Sequence, residues 1–275
     1  MLSEISVPLD GFANTRQEIS VALRLAQLHD CPVVGWKICA GRTTAVCSSP
    51  DFGDEYGSSF SSTPFGHVPT GIDKIGEIFS EEAKRLQVSV RIADEELFKI
   101  ADFYKMSSAS NIAVVSSETI RFWRTVETNA FLRGDFASYQ MAPLLVLGAH
   151  ARSSFQEVVF AYDGSKQAKS AFEAYAKMET RSNHSISILV CDEKSSRASG
   201  HAEEARQIVA AAGIGIESVS MHCDLLHAVI DHECAGDSVL IVAGLCTHLH
   251  SQRPRFGHLA DHLIESRAAS ILLAC

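Results

Sequence analysis

The residue types that could do chemistry in this chain gather at Asp163-Gly164-Ser165 and between Gly244 and His258. The tripeptide follows a short apolar run, Val158 to Ala161, and precedes Ala168, Ala171, Phe172 and Tyr175 at helical spacing. That pattern predicts a strand, a tight turn and an amphipathic helix with Ser165 as its N-cap. It puts a carboxylate at the carboxyl end of a strand, beside free backbone N–H groups, where open α/β sheets bind ligands. An ordinary βα corner with Asp163 as a turn residue would read the same way. Gly244 ends another apolar run and allows close backbone approach. Gly257 and His258 open a helix whose free N–H groups suit an anion such as phosphate, with Arg253 and Arg255 nearby to add charge. Cys246, His248 and His250 share one loop, and His258 and His262 stand at i, i+4. Imidazole and thiolate of this kind suit zinc. The simpler account is a set of polar residues flanking the apolar stripe Ala260, Leu263 and Ile264. No G-x-S-x-G, P-loop or H-E-x-x-H motif is present, so catalysis is not expected.

Those residues must be positioned by repeated strand–helix units. The chain opens with a strand at Ile5, broken by Asp10-Gly11, and continues into a helix carrying Ile19, Ala22, Leu23 and Ala26 on one face. Thr15 and Glu18 stand at capping-box spacing before that helix. Pro8 is awkward in a central strand because it donates no ladder hydrogen bond. Strands are expected at Pro32–Cys39, Gln87–Ala93, Asn111–Ser116 and Leu144–Gly148. Helices are expected from Ile72, from Leu97, and over the later part of 119–139. Residues 40–70, rich in Ser, Gly, Thr and Pro, read as a long loop.

The second half repeats the plan. Its strands fall at Val158, Ile186–Cys191, Ile216–His222, Val239–Gly244 and Ser270–Ala274. Its later helices fall at Ala202–Ala212, Leu225–Cys234 and Leu259–Ser266. Alternating strands and helices predict an α/β fold of parallel sheets with helices on both faces. The repetition predicts an internal duplication, with domains at 1–153 and 154–275.

Bulk composition agrees with this reading. At about 150 residues per domain, 275 residues suggest two domains. A net charge of -9 argues against a nucleic-acid partner, which would select a basic surface. The start MLSEISVPLDGF has neither a basic start nor an apolar run, and no apolar segment is long enough to span a bilayer. A cytoplasmic protein is expected. The eight cysteines form no C-x-x-C pair, which suits buried free thiols in a reducing compartment.

The turn AYDGSKQAKSAFEAYA, the weaker copy VPLDGF at the start, and the run LIVAGL, polar loop, FGHLADHLI and closing strand resemble the universal stress protein family in tandem form. The resemblance covers nearly the whole chain. It implies two five-stranded parallel sheets, each flanked by helices, in domains pairing through their last strands. It implies a stress-response role and ATP or another adenine nucleotide, with Mg2+, as ligand. A nucleotide-free scaffold or protein-interaction module, a zinc-binding stress protein, a homodimer and slow ATP hydrolysis are the other readings it leaves. ATP-binding members carry G-x2-G-x9-G-[S/T] after strand four. Here Gly244 and Gly257 match, while Thr247 and His258 replace the second glycine and the hydroxyl residue. Asp163, with Gly164 and Ser165, matches the nucleoside-contacting turn, and Val190 lies near the strand-two end that faces adenine. The first half keeps Asp10 but has Ser116 to Thr119 in place of G-x2-G and Asn129 in place of the third glycine. Its site is expected to be degenerate.

Overall fold

Runs of β-branched and apolar residues, each too short to bury itself alone, line up here as one sheet. The computed structural model describes residues 2–11, 14–38, 72–93, 103, 106–107, 110–126, 142–149, 155–178, 185–191, 195–211, 213–222, 238–244, 258–266 and 269–274. The first half contains β1 (Ile5–Leu9), α1 (Thr15–His29), β2 (Val33–Lys37), α2 (Ile72–Leu86), β3 (Val90–Ile92), β4 (Ile112–Ser116), α3 (Ser117–Val126) and β5 (Leu144–Leu147). The second contains β6 (Glu157–Tyr162), α4 (Lys166–Met178), β7 (Ser185–Cys191), α5 (Ser195–Ala211), β8 (Ser218–His222), β9 (Val239–Gly244), α6 (His258–Ser266) and β10 (Ser270–Ala274).

The sheet order is β3-β2-β1-β4-β5-β10-β9-β6-β7-β8. Every pairing within a half is parallel. The seam between halves is antiparallel, with Ile271, Leu272 and Leu273 opposite Val146, Leu145 and Leu144. The two expected five-stranded parallel sheets pair through their last strands, as the resemblance implies, and so form one mixed sheet of ten strands rather than two sheets. The physical reason lies in the seam residues: Leu144 to Leu147 and Ile271 to Leu273 are buried on both faces, so neither strand can serve as a solvated edge. An antiparallel seam also reverses the strand direction. The carboxyl tips of β1 and β4 thus lie on one edge of the sheet, and those of β6 and β9 on the opposite edge.

Alternation along each strand sends side chains to two cores. Val158, Phe160 and Tyr162 join Ile5, Val7 and Leu9 on the face covered by α1, α2, α4 and α5. Val159 and Ala161 join Val115, Ile241 and Leu273 on the face covered by α3 and α6. Each core therefore contains residues of both halves. Further contacts cross between them. His29 Nε2 lies 2.7 Å from the Met178 carbonyl oxygen, and Arg121 on α3 pairs with Glu265 on α6 at 3.0 Å.

Several boundaries differ from the sequence expectation. A helix not expected, α3, starts at Ser117 directly after β4, while the later part of 119–139, where a helix was expected, lies outside the described residues. α5 begins at Ser195, ahead of its apolar stripe. The β1–β4 ladder ends at Ser6 opposite Ala113, so Pro8 follows the last pair on that side. The expected helix at Leu225–Cys234, the 40–70 loop, the domain boundary near 152–154 and, Phe103 apart, the helix expected from Leu97 lie outside the described residues. Among the described residues no helix is long and apolar enough to cross a membrane.

Leu272, fully buried opposite Leu145, tests the seam. Leu272→Ala is expected to lower unfolding free energy by about 2–5 kcal/mol, in one denaturant transition shared by both halves. Two resolved transitions, only one of them shifted, would show that the halves unfold separately.

Candidate functional site at the strand tips

A parallel sheet opens a crevice where two neighbouring strands send their chains to opposite faces. Here β6 and β9 are paired only from Glu157–Val239 to Phe160–Val242. Beyond that point β6 stays with β7 as far as Tyr162–Val190, and β9 stays with β10 as far as Gly244–Ala274. The two strands fork, leaving the end of β6 and Asp163 on one side and Gly244 on the other.

The turn at the β6 tip forms as its residues dictate. Asp163 is exposed, and its Oδ1 accepts the Ser165 N–H at 2.9 Å. Gly164 has φ +77, which suits glycine. Ser165 Oγ accepts the Ala168 N–H at 3.1 Å, so the expected N-cap is formed. A Cβ built on Gly164 would collide with the His201 ring, a contact from α5 that no motif in the sequence announces. His201 belongs to a polar group fastening α5 over α4 and β6. Tyr162 donates its hydroxyl proton to Glu204 at 2.7 Å, and Lys169 pairs with Glu204 at 2.6 Å. Burial, then donation to Glu204, raises the Tyr162 pKa. The Lys169 contact, then Tyr162, holds Glu204 below the usual carboxyl range.

Gly244 sits close against α4. A Cβ there would lie 3.0 Å from the Ala168 nitrogen and from Gln167 Cβ. Val190 is fully buried and lies between Tyr162 and Met221 in the sheet. Thr247 and Gly257 lie outside the described residues, as do Cys246, His248, His250, Arg253 and Arg255. His258 is the first residue of α6, and His262 is half-buried one turn later. Among the described residues no group of three metal-ligating side chains comes together. Cys31 is buried, and burial pushes its thiol pKa up, as expected of an unreactive core thiol. A shallow depression of about 380 Å³, lined by Lys37, Glu77, Ser80, Glu81 and Lys84 among others, lies on the first half, beside α2.

The first-half fork is built differently. The capping box expected from Thr15 and Glu18 does not form. Asn14 is the N-cap and makes no side-chain cap bond. Thr15 instead donates to Asp10 Oδ1 at 2.5 Å. Glu18 Oε1 reaches across to β4, accepting the Ser116 N–H at 2.6 Å and the Thr119 hydroxyl at 2.7 Å. Asp10 and Glu18 are both buried. Burial, then the negative charge of Asp10, pushes the Glu18 pKa up to about 8, although the hydrogen bonds from Thr119 and Ser116 oppose the shift. Glu18 lies on the same helix face as Ala22 and Ala26, and a carboxylate on a buried face was the signal that could have exposed it.

Two predictions follow from these contacts. Gly164→Ala is expected to destabilise by more than about 1 kcal/mol, the penalty of positive φ alone. In a His201→Ala background the penalty should shrink toward that value, as a double-mutant denaturation cycle would measure. For Glu18, the folded pKa lies above the ordinary 4.5. Its contribution is fully present below about pH 4.5 and is lost as pH rises to about 8, by at most about 1.4 kcal/mol per pH unit. Glu18→Gln, an analogue of the protonated acid, is expected to flatten that stretch of the stability–pH curve.

No family model and no curated protein matches the sequence. Solved structures do match across the whole chain. A universal stress protein from Archaeoglobus fulgidus aligns at TM-score 0.59 and 11% identity, covering 98% of this chain and 97% of its own. A functionally unknown protein from Pseudomonas aeruginosa aligns at 0.57 and 8%, covering 99% and 92%. A provisionally named universal stress protein from Pseudomonas aeruginosa aligns at 0.55 and 10%, covering 99% and 93%. Each likeness extends over both halves, and the chain has the fold of the universal stress proteins.

Proposed function

We propose that this chain is a stress-response regulator of the universal stress protein type, with domains at 1–153 and 154–275, whose second half binds ATP or another adenine nucleotide with Mg2+. The observation that carries the reading is the β6–β9 fork. Exposed Asp163 stands at its lip, and no carboxylate of α4 reaches across it as Glu18 does in the first half. Asp163 accepts from the nucleoside, and the strand end near Val190 faces the base. Gly244, Thr247, Gly257 and His258 take the phosphates, where a protonated His258 would strengthen the contact. Gly164 and Ser165 hold the turn. The role is binding, with at most slow hydrolysis, because among the described residues no nucleophile or positioned base accompanies Asp163. The protein acts in the cytoplasm, as an intramolecular pair of domains or as a homodimer of that pair, without nucleic-acid or membrane partners.

A nucleotide-free scaffold is the second reading. It is favoured by the two glycines, because Gly164 and Gly244 each have a packing reason of their own against His201 and α4. Thermal unfolding with and without ATP and Mg2+ separates the two. Binding is expected to raise apparent stability by about 2.7 kcal/mol at a hundredfold excess over Kd, and Asp163→Ala should remove most of that rise. An unchanged midpoint at millimolar ATP leaves the scaffold. Metal analysis of untagged protein tests the zinc alternative.

A further inference from the structure

The two halves can be matched residue by residue. Aligning Asp10 with Asp163 pairs Thr15 with Ala168, Glu18 with Ala171, Ile19 with Phe172 and Ala22 with Tyr175, and all of these are buried. The strand ladders give the other side. Ile5 pairs with Ile112, and its counterpart Val158 pairs with Leu240, so Ser116 corresponds to Gly244. The same step along the sequence matches Thr119 with Thr247. The donors gathered by Glu18, the Ser116 N–H and the Thr119 hydroxyl, are thus the first-half counterparts of Gly244 and Thr247. Where the first half carries a carboxyl at this place, the second carries the methyl group of Ala171.

We infer that the first-half crevice is a self-occupied oxyacid site: the Glu18 carboxyl is its built-in ligand, and its removal would leave a site for a small carboxylic acid. Three observations support this. Glu18 Oε1 accepts from two donors on the far side of the fork, one of them main-chain, as the oxygen of a bound acid would. Glu18 Oε2 is buried with no hydrogen-bond partner among the described residues, and so is the Ser117 hydroxyl beside Ser116. The donors are themselves organised without Glu18, because the Ser116 hydroxyl accepts the Thr119 N–H at 3.0 Å and donates to Thr119 Oγ1 at 2.9 Å. Among the described residues the other acid facing the site is Asp10, at the β1 tip and held by Thr15, and its charge favours a neutral occupant. On this account the chain offers one crevice to outside ligands rather than two. The inference does not depend on what the second half binds.

Glu18→Ala removes the equivalent of acetic acid from the site, so acetate is the probe. At about pH 5, where part of the acid is neutral, acetate is expected to raise the thermal midpoint of Glu18→Ala saturably. Wild type and Glu18→Gln, whose sites are filled, should respond to acetate no more than to matched sodium chloride. An equal response in all three proteins overturns the inference. If Glu18→Ala does not fold, Glu18→Met carries the test, since it fills the volume without an acceptor. The Ser116 amide is then expected to exchange about tenfold faster, relative to Val114 and Val115, than in wild type or Glu18→Gln. Equal relative exchange in all three proteins would show that Glu18 does not occupy the donors.

Discussion

The antiparallel pairing of β5 with β10 is the constraint on which the rest of the molecule depends. Each half alone would be a five-stranded parallel sheet ending in an apolar strand with one bare edge. Such a strand is an invitation to aggregation unless something pairs with it. Here each half supplies the other's missing neighbour, and the leucines of Leu144–Leu147 and Ile271–Leu273 are sealed on both faces. The pairing also sets the placement of the crevices. Because strand direction reverses across the seam, the two forks open on opposite edges of the sheet, and a ligand in one has no direct contact with the other.

The sequence announces most of this fold through its periodicities, and the seam only through the family resemblance, which pairs the domains by their last strands. Strand–Asp-Gly–helix units are readable twice because the apolar periods change sharply at Asp10 and at Asp163. The Ser165 cap is readable because a serine before an amphipathic run has one common use. Whether the halves form two sheets or one depends on contacts between strands distant in the chain, and local periodicity carries no record of those. The site is legible to a similar degree. Asp163, Gly164 and Gly244 stand at the fork as their types suggested. His201 was hidden, being one polar residue among several on an unremarkable helix.

Glu18 shows why spacing alone misleads. Thr15 and Glu18 have the separation of a capping box, and that motif is a local, self-contained use of the two side chains. The structure gives both to long-range partners instead: Asp10 for Thr15, Ser116 and Thr119 for Glu18. A capping glutamate belongs at a helix start with access to water. This one lies on a face shared with Ala22 and Ala26, where an uncompensated charge would be costly. Burial decides between the two uses, and it is encoded in the neighbours of Glu18 rather than in its distance from Thr15.

The two halves differ in how a small fork between parallel strands deals with its unpaired backbone. Once β1 leaves β4, or β6 leaves β9, main-chain donors at the tip of the fourth strand lose a ladder partner and need another. The first half answers from within, by extending a carboxyl from its own helix. In the second half Ala171 is too short to do so, and α4 instead packs its first turn against Gly244. Glycine at 244 permits that approach, and serine at 116 would hinder it. The two solutions therefore go together as sets: glycine with alanine in one half, serine with glutamate in the other. Exchanging only one member leaves either a clash or an unsatisfied donor.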